Sequence, residues 1–128
     1  MDLKEYFESH TGTGVLATAD AQGNTDAALY SRPHFMEDGT IAFIMNDRLS
    51  HRNLQSNPRA TYLFIQKGSP REGVRLYLAR LREDGDPAVV ETLRRHRKPD
   101  GDDADKKRFV VYFRIEKTRP LVDPGPGF

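Results

Sequence analysis

Apolar positions recur along the chain in short bursts separated by Gly, Asp and Pro, the spacing of small strands joined by turns. Leu3, Tyr6 and Phe7 fall at helical spacing behind a capping Asp2, which predicts a short helix over Asp2 to Ser9. After a flexible Thr11–Gly14 spacer, Val15 to Ala19 is short and apolar and Asp20-Ala21-Gln22-Gly23 is a turn. Thr25 to Phe35 then makes an extended segment, so that the two form a hairpin. Glu37-Asp38-Gly39 is a second turn, its Asp-Gly pair suited to positive φ, and Thr40 to Asn46 is a bulky apolar strand.

Asp47 to Pro58 carries one apolar anchor, Leu54, and ends in Asn57-Pro58, which predicts a short helix with Asp47 or Ser50 capping its start. Arg59 to Gln66 alternates with apolar side chains on both faces, so both faces are covered. A Gly-, Pro- and charge-rich loop, expected to be mobile, spans Lys67 to Gly73, and Val74 to Arg82 resumes as a strand. Asp86-Pro87 is a capped helix start, with Val89, Val90 and Leu93 as the stripe of a helix reaching about Arg97. Lys98 to Asp105 reads as an exposed loop. Arg108 to Glu116 alternates with Phe109, Val111, Phe113 and Ile115 on one face, and the tail Pro120 to Phe128 has no regular structure of its own. No repeat or domain boundary interrupts this. The expectation is one α+β domain over residues 1–128, a small, mostly antiparallel barrel of about six strands with short flanking helices.

Composition narrows the function. With 37% hydrophobic and 30% charged residues a lone subunit has a modest core, and pairing two subunits is one remedy. Net charge is +1, from 20 basic against 19 acidic residues, which is not the excess of a general nucleic-acid binder. The absence of Cys excludes disulfides, thiolate metal sites and Cys nucleophiles. Met1 to His10 does not read as a signal peptide and no apolar run approaches membrane-spanning length, so the expected compartment is the cytoplasm. His10, His34, His51 and His96 have no helical pairing, so no metal site is expected. The basic run Arg94 to Lys98 reads as a solvated helix end, offset by Asp100, Asp102, Asp103 and Asp105.

Two stretches hold the candidate chemistry. In Tyr30-Ser31-Arg32-Pro33-His34, Pro33 points to an edge or bulge, and Arg32 and His34 are expected on one face, where a positive pair suits an anion. In Asn46 to Asn53 a strand hands over to a helix start bearing Ser50, His51 and Arg52, which suits a phosphate. The second stretch alone equally fits a plain helix start, with Ser50 as cap and Arg52 in solvent.

Taken in order, Ser31-Arg32-Pro33, the Asp-Gly turn, a strand ending Met45-Asn46, Ser50-His51-Arg52 and Asn57-Pro58 resemble the pyridoxamine 5′-phosphate oxidase-like family of FMN-binding split barrels, in its general-stress-protein-like branch. The similarity is most specific from Gly14 to Gln66. It implies an oxidoreductase with FMN held non-covalently at a homodimer interface and a small-molecule electron donor or acceptor as partner. It implies that Arg32, Arg52 and Ser50 grip the phosphate and that Ile44, Met45 and Asn46 line the ring. Leu29, Tyr30 and Ser31 would face the pyrimidine edge, Gln66 would reach it from the next strand, and Tyr112 would come from the partner subunit. His51 stands where the family often has Arg or Lys, which shifts weight to Arg32 and Arg52. His34 is open between proton donor and packing. A non-catalytic electron carrier, and haem or deazaflavin F420 on the same barrel, are the alternatives. The Arg-x-His segment with which the oxidase proper contacts pyridoxal phosphate is missing from Arg119 to Phe128, which argues against that reaction.

Overall fold

A computed structural model describes residues 2–94 and 107–123. Along the chain run α1 (Leu3–Ser9), β1 (Gly12–Ala19), β2 (Thr25–Leu29), β3 (His34–Phe35), β4 (Ile41–Asn46), α2 (Leu49–Ser56), β5 (Arg59–Gln66), β6 (Gly73–Asp84), α3 (Pro87–Leu93) and β7 (Arg108–Pro120). The seven strands form one antiparallel sheet in the order β2-β1-β5-β6-β7-β4-β3. Its two edge strands, β2 and β3, are joined by only Tyr30 to Pro33. So short a link forces the edges together, and the sheet curls into an α+β split barrel.

The barrel interior is filled by inward residues of every long strand. Leu16, Phe43, Met45, Tyr62, Phe64, Leu76, Leu78, Val111 and Phe113 join one core, which Phe7 of α1 and Leu54 of α2 complete. A second cluster, Ala42, Val110, Tyr112 and Val90, covers the outer face of β4 and β7 with α3. β5 is apolar on both faces for the expected reason: Ala60, Tyr62 and Phe64 point inward, while Leu63 and Ile65 are half-buried outside.

Several boundaries differ from the sequence pattern, each because pairing partners decide them. The Thr11–Gly14 spacer is mostly strand, since Gly12 to Gly14 pair with Phe64 to Gln66. The Thr25–Phe35 segment breaks into β2 and β3, which lie at opposite edges, so the strand count is seven. β6 and β7 outrun their expected ends because each supplies the other's partners as far as Asp84 and Pro120. Neither Asp47 nor Ser50 caps α2: the N-cap is Arg48, with no side-chain cap bond. The Asp2 and Asp86 caps form as expected. α3 ends at Leu93; its expected continuation to Arg97, the basic run beyond Arg94, the acidic loop to Asp105 and the last five residues of the tail lie outside the described residues. No helix among the described residues is long and apolar enough to cross a membrane.

One irregularity matters for chemistry. Opposite β7, Arg80 faces Phe113 and Arg82 faces Tyr112, leaving Leu81 as an extra residue in a β-bulge. Residues three apart on a regular strand lie on opposite faces, but a bulge between them restores the same face. Arg80 and Glu83 therefore meet, with Arg80 Nη2 2.9 Å from Glu83 Oε1. Arg82 turns outward, its guanidinium 3.7 Å over the Tyr112 ring.

Candidate functional site

α2 packs against β1, β2 and β4, although Leu54 is its one fully apolar anchor. Polar bonds orient the rest. Asn53 Nδ2 donates to Thr18 Oγ1 at 3.0 Å in a buried pair. Ser50, buried, faces the Tyr30 hydroxyl, which burial holds above its ordinary value despite Ser50 and the nearby Arg48. Thus the end of β2 and the start of α2 meet through Tyr30 and Ser50. Leu29 and Leu49, the residues before each, are 76% and 50% exposed, an apolar surface flanking the junction.

His51, one residue on, is buried. Its Nε2 lies 2.9 Å from Glu83 Oε2 and its Nδ1 3.3 Å from Asp47 Oδ1, and its ring stacks on Phe109 at 4.0 Å between centroids. Gln55 donates to Glu83 Oε1 at 2.9 Å and to the His51 carbonyl at 3.0 Å. Burial alone would raise the Glu83 carboxyl, but hydrogen bonds from Gln55, His51 and Arg80 outweigh it and bring it from 4.5 to about 2. The two carboxylates face opposite nitrogens of one ring, so they do not converge on an ion, and no metal-holding group exists among the described residues.

The structure brings together some of the sequence-selected residues and separates others. Tyr30 and Ser50 touch, and Arg52 stands exposed on α2. Tyr30 N donates to Gly14 O at 3.0 Å, and the carbonyls of Tyr30 and Ser31 accept from Tyr62 at 3.3 and 3.0 Å. Arg32 directs Nη1 to the carbonyls of Phe7 (2.7 Å) and His10 (3.1 Å) at the end of α1. Gln66 accepts from Tyr6 at 2.6 Å, also beside α1. Met45 is sealed in the core, Ile44 packs on the opposite face with the α3 cluster, and Asn46 O accepts from Arg48 N at 2.8 Å. Arg32 and His34 line a cleft of about 820 Å³ with Phe7, Met36, Arg82 and Tyr112.

The sequence reading missed Arg48, Arg80 and Glu83. Arg48 had a local signal, a cation where a helix start wants a capping oxygen. Glu83 had none, because its aim depends on the bulge at Leu81.

A seven-stranded antiparallel sheet curled into a split barrel with short flanking helices defines the fold class. The chain belongs to the pyridoxamine 5′-phosphate oxidase family, whose model matches residues 3–121. No curated protein sequence matches it. Solved structures share the fold at low identity. An FMN-binding protein from Syntrophomonas wolfei superposes with a TM-score of 0.72 at 15% identity, over 93% of this chain and 83% of that one. An F420 reductase gives 0.70 at 19%, over 90% and 94%. HupZ of Group A Streptococcus gives 0.67 at 16%, over 94% and 91%.

Proposed function

We propose that this protein is an FMN-binding redox protein, working as a homodimer, in which Ser50 and Arg52 hold the phosphate at the start of α2 and the ring lies along Leu29 to Ser31. The observation that carries the reading is the α2 start itself. It has no acidic residue in its first turn and no side-chain cap, while Arg48 is the N-cap and Arg52 stands exposed one turn on. Unfilled N–H groups, a hydroxyl and two cations at a helix start suit a phosphate dianion. The exposed Leu29 and Leu49 supply the apolar floor that a flavin ring or a second subunit would cover.

The residues present fit the cofactor in kind. Arg48 and Arg52 are the cations at the α2 start and Ser50 the hydroxyl, whereas Arg32, with Nη1 tied to the α1 carbonyls, Met45, sealed in the core, and Ile44, packed with the α3 cluster, stand apart from the slot. Bound FMN would supply a centre that takes hydride or electrons from a donor such as a reduced nicotinamide and yields them to an acceptor. The protein's part is to orient the ring and fix the phosphate.

The test is the absorbance and mass of the small molecule that co-purifies, followed by titration of the apoprotein with FMN, riboflavin, F420 and haem. FMN should bind more tightly than riboflavin. Arg52→Ala should weaken FMN by about 1.5–3 kcal/mol, the scale of a charged hydrogen bond, and leave riboflavin alone. Equal affinity for FMN and riboflavin, or full FMN affinity in Arg52→Ala, removes the phosphate assignment. Preferential F420 or haem binding replaces the cofactor. NAD(P)H oxidation by the loaded protein separates an enzyme from a carrier, and sedimentation mass tests the dimer.

A further inference from the structure

The chain itself sets a carboxylate next to the α2 start in sequence. Asp47 immediately precedes the N-cap Arg48, and an aspartate beside a helix start ordinarily satisfies first-turn N–H groups. Here it does not. Its Oδ1 lies 3.3 Å from His51 Nδ1, and its backbone N–H is tied to Lys107 O at 3.3 Å.

His51 is braced for that task from three sides. Glu83 takes Nε2, Phe109 stacks flat on the ring at an interplanar angle of 8°, and Gln55 spends its amide hydrogens on Glu83 and on the His51 carbonyl. The His51 side chain is only 8% exposed, whereas that of Asp47 is 54% exposed. A buried, braced ring therefore sets the place of an exposed carboxylate, and not the reverse.

Resting on the reading that Ser50 and Arg52 hold a phosphate, we propose that His51 is a positioning residue that keeps Asp47 aside from the α2 start, so that the cofactor phosphate meets no competing anion there. This gives His51 a role without phosphate contact. A tethered carboxylate released beside its own binding site competes at high effective concentration.

The experiment measures FMN and riboflavin affinity, with thermal melting, in the wild type, His51→Phe, Asp47→Asn and the double variant. Phe at 51 keeps the stack on Phe109 and loses the hold on Asp47. His51→Phe should bind FMN about tenfold more weakly, within what a charge at a helix start is worth. Its riboflavin affinity should match the wild type, which also reports that the slot has folded. The double variant should regain FMN affinity, because its residue 47 carries no charge. Asp47→Asn alone, an exposed change, should alter FMN binding little.

Wild-type FMN affinity in His51→Phe, or a loss that persists in the double variant, overturns the proposal. So does tenfold tighter FMN binding in Asp47→Asn alone, which would mean that the carboxylate already competes. These failures are distinct from failure of the phosphate reading, in which the wild type itself would not prefer FMN to riboflavin.

Discussion

Arg32 illustrates how a single side chain serves an element remote from it in sequence. α1 has no basic residue in its last turn; Ser9 Oγ donates to Glu5 O and the His10 ring meets Tyr6 O, while Phe7 O and His10 O turn to a distant partner. Arg32 Nη1 supplies two bonds, to Phe7 O and His10 O, and so places a cation at the negative end of the helix. Arg32→Met keeps the aliphatic stem and removes both bonds. It should lower unfolding stability by about 1.5–3 kcal/mol, read from the midpoint of urea denaturation in the absence of cofactor. An unchanged midpoint would show that solvent replaces Arg32 at those carbonyls without loss.

At the scale of elements, α2 and β6 are joined through Glu83, and acid should loosen the joint. The Glu83 carboxyl falls from 4.5 to about 2 on folding. A value depressed in the folded state gives stability that is whole above the unfolded value and is lost as pH falls toward the folded one. Glu83→Gln lacks that increment at neutral pH. The stability gap between wild type and variant should therefore narrow as pH drops from about 5 to about 2, followed by denaturant titration at each pH; parallel profiles would count against the assignment. This joint also shows what the sequence can disclose. Leu54 and Asn57-Pro58 mark α2 locally, Asp86-Pro87 marks α3, and the two-faced alternation of β5 is visible in its own residues. The break between β2 and β3, the strand character of Gly12 to Gly14 and the bulge at Leu81 depend on partners distant in sequence, so no local pattern announces them. The same division runs through the site. Ser50 and Arg52 are recognisable as helix-start chemistry, whereas the turning of His51 toward Glu83 follows from a bulge on another strand.

The whole barrel depends on joining β2 to β3 across four residues, and Tyr62 is the tie at that point. From the interior face of β5 its hydroxyl reaches the carbonyls of both Tyr30 and Ser31, while Tyr30 N–H bonds to Gly14 O. A side chain at position 14 would run into the Tyr62 hydroxyl and the Tyr30 carbonyl, so this close approach admits only glycine. Gly14→Ala should cost about 1–3 kcal/mol by overpacking, and Tyr62→Phe about 1 kcal/mol for the lost hydrogen bond. The two costs should not add. With the hydroxyl gone, part of the space a new methyl needs is open, leaving the Tyr30 backbone as the remaining obstacle. Urea midpoints of the wild type, both single variants and the double variant form the cycle that measures this coupling. Strict additivity would mean that Gly14 is required by the Tyr30 backbone alone, and that the Tyr62 hydroxyl is not what sets the tightness of the closure.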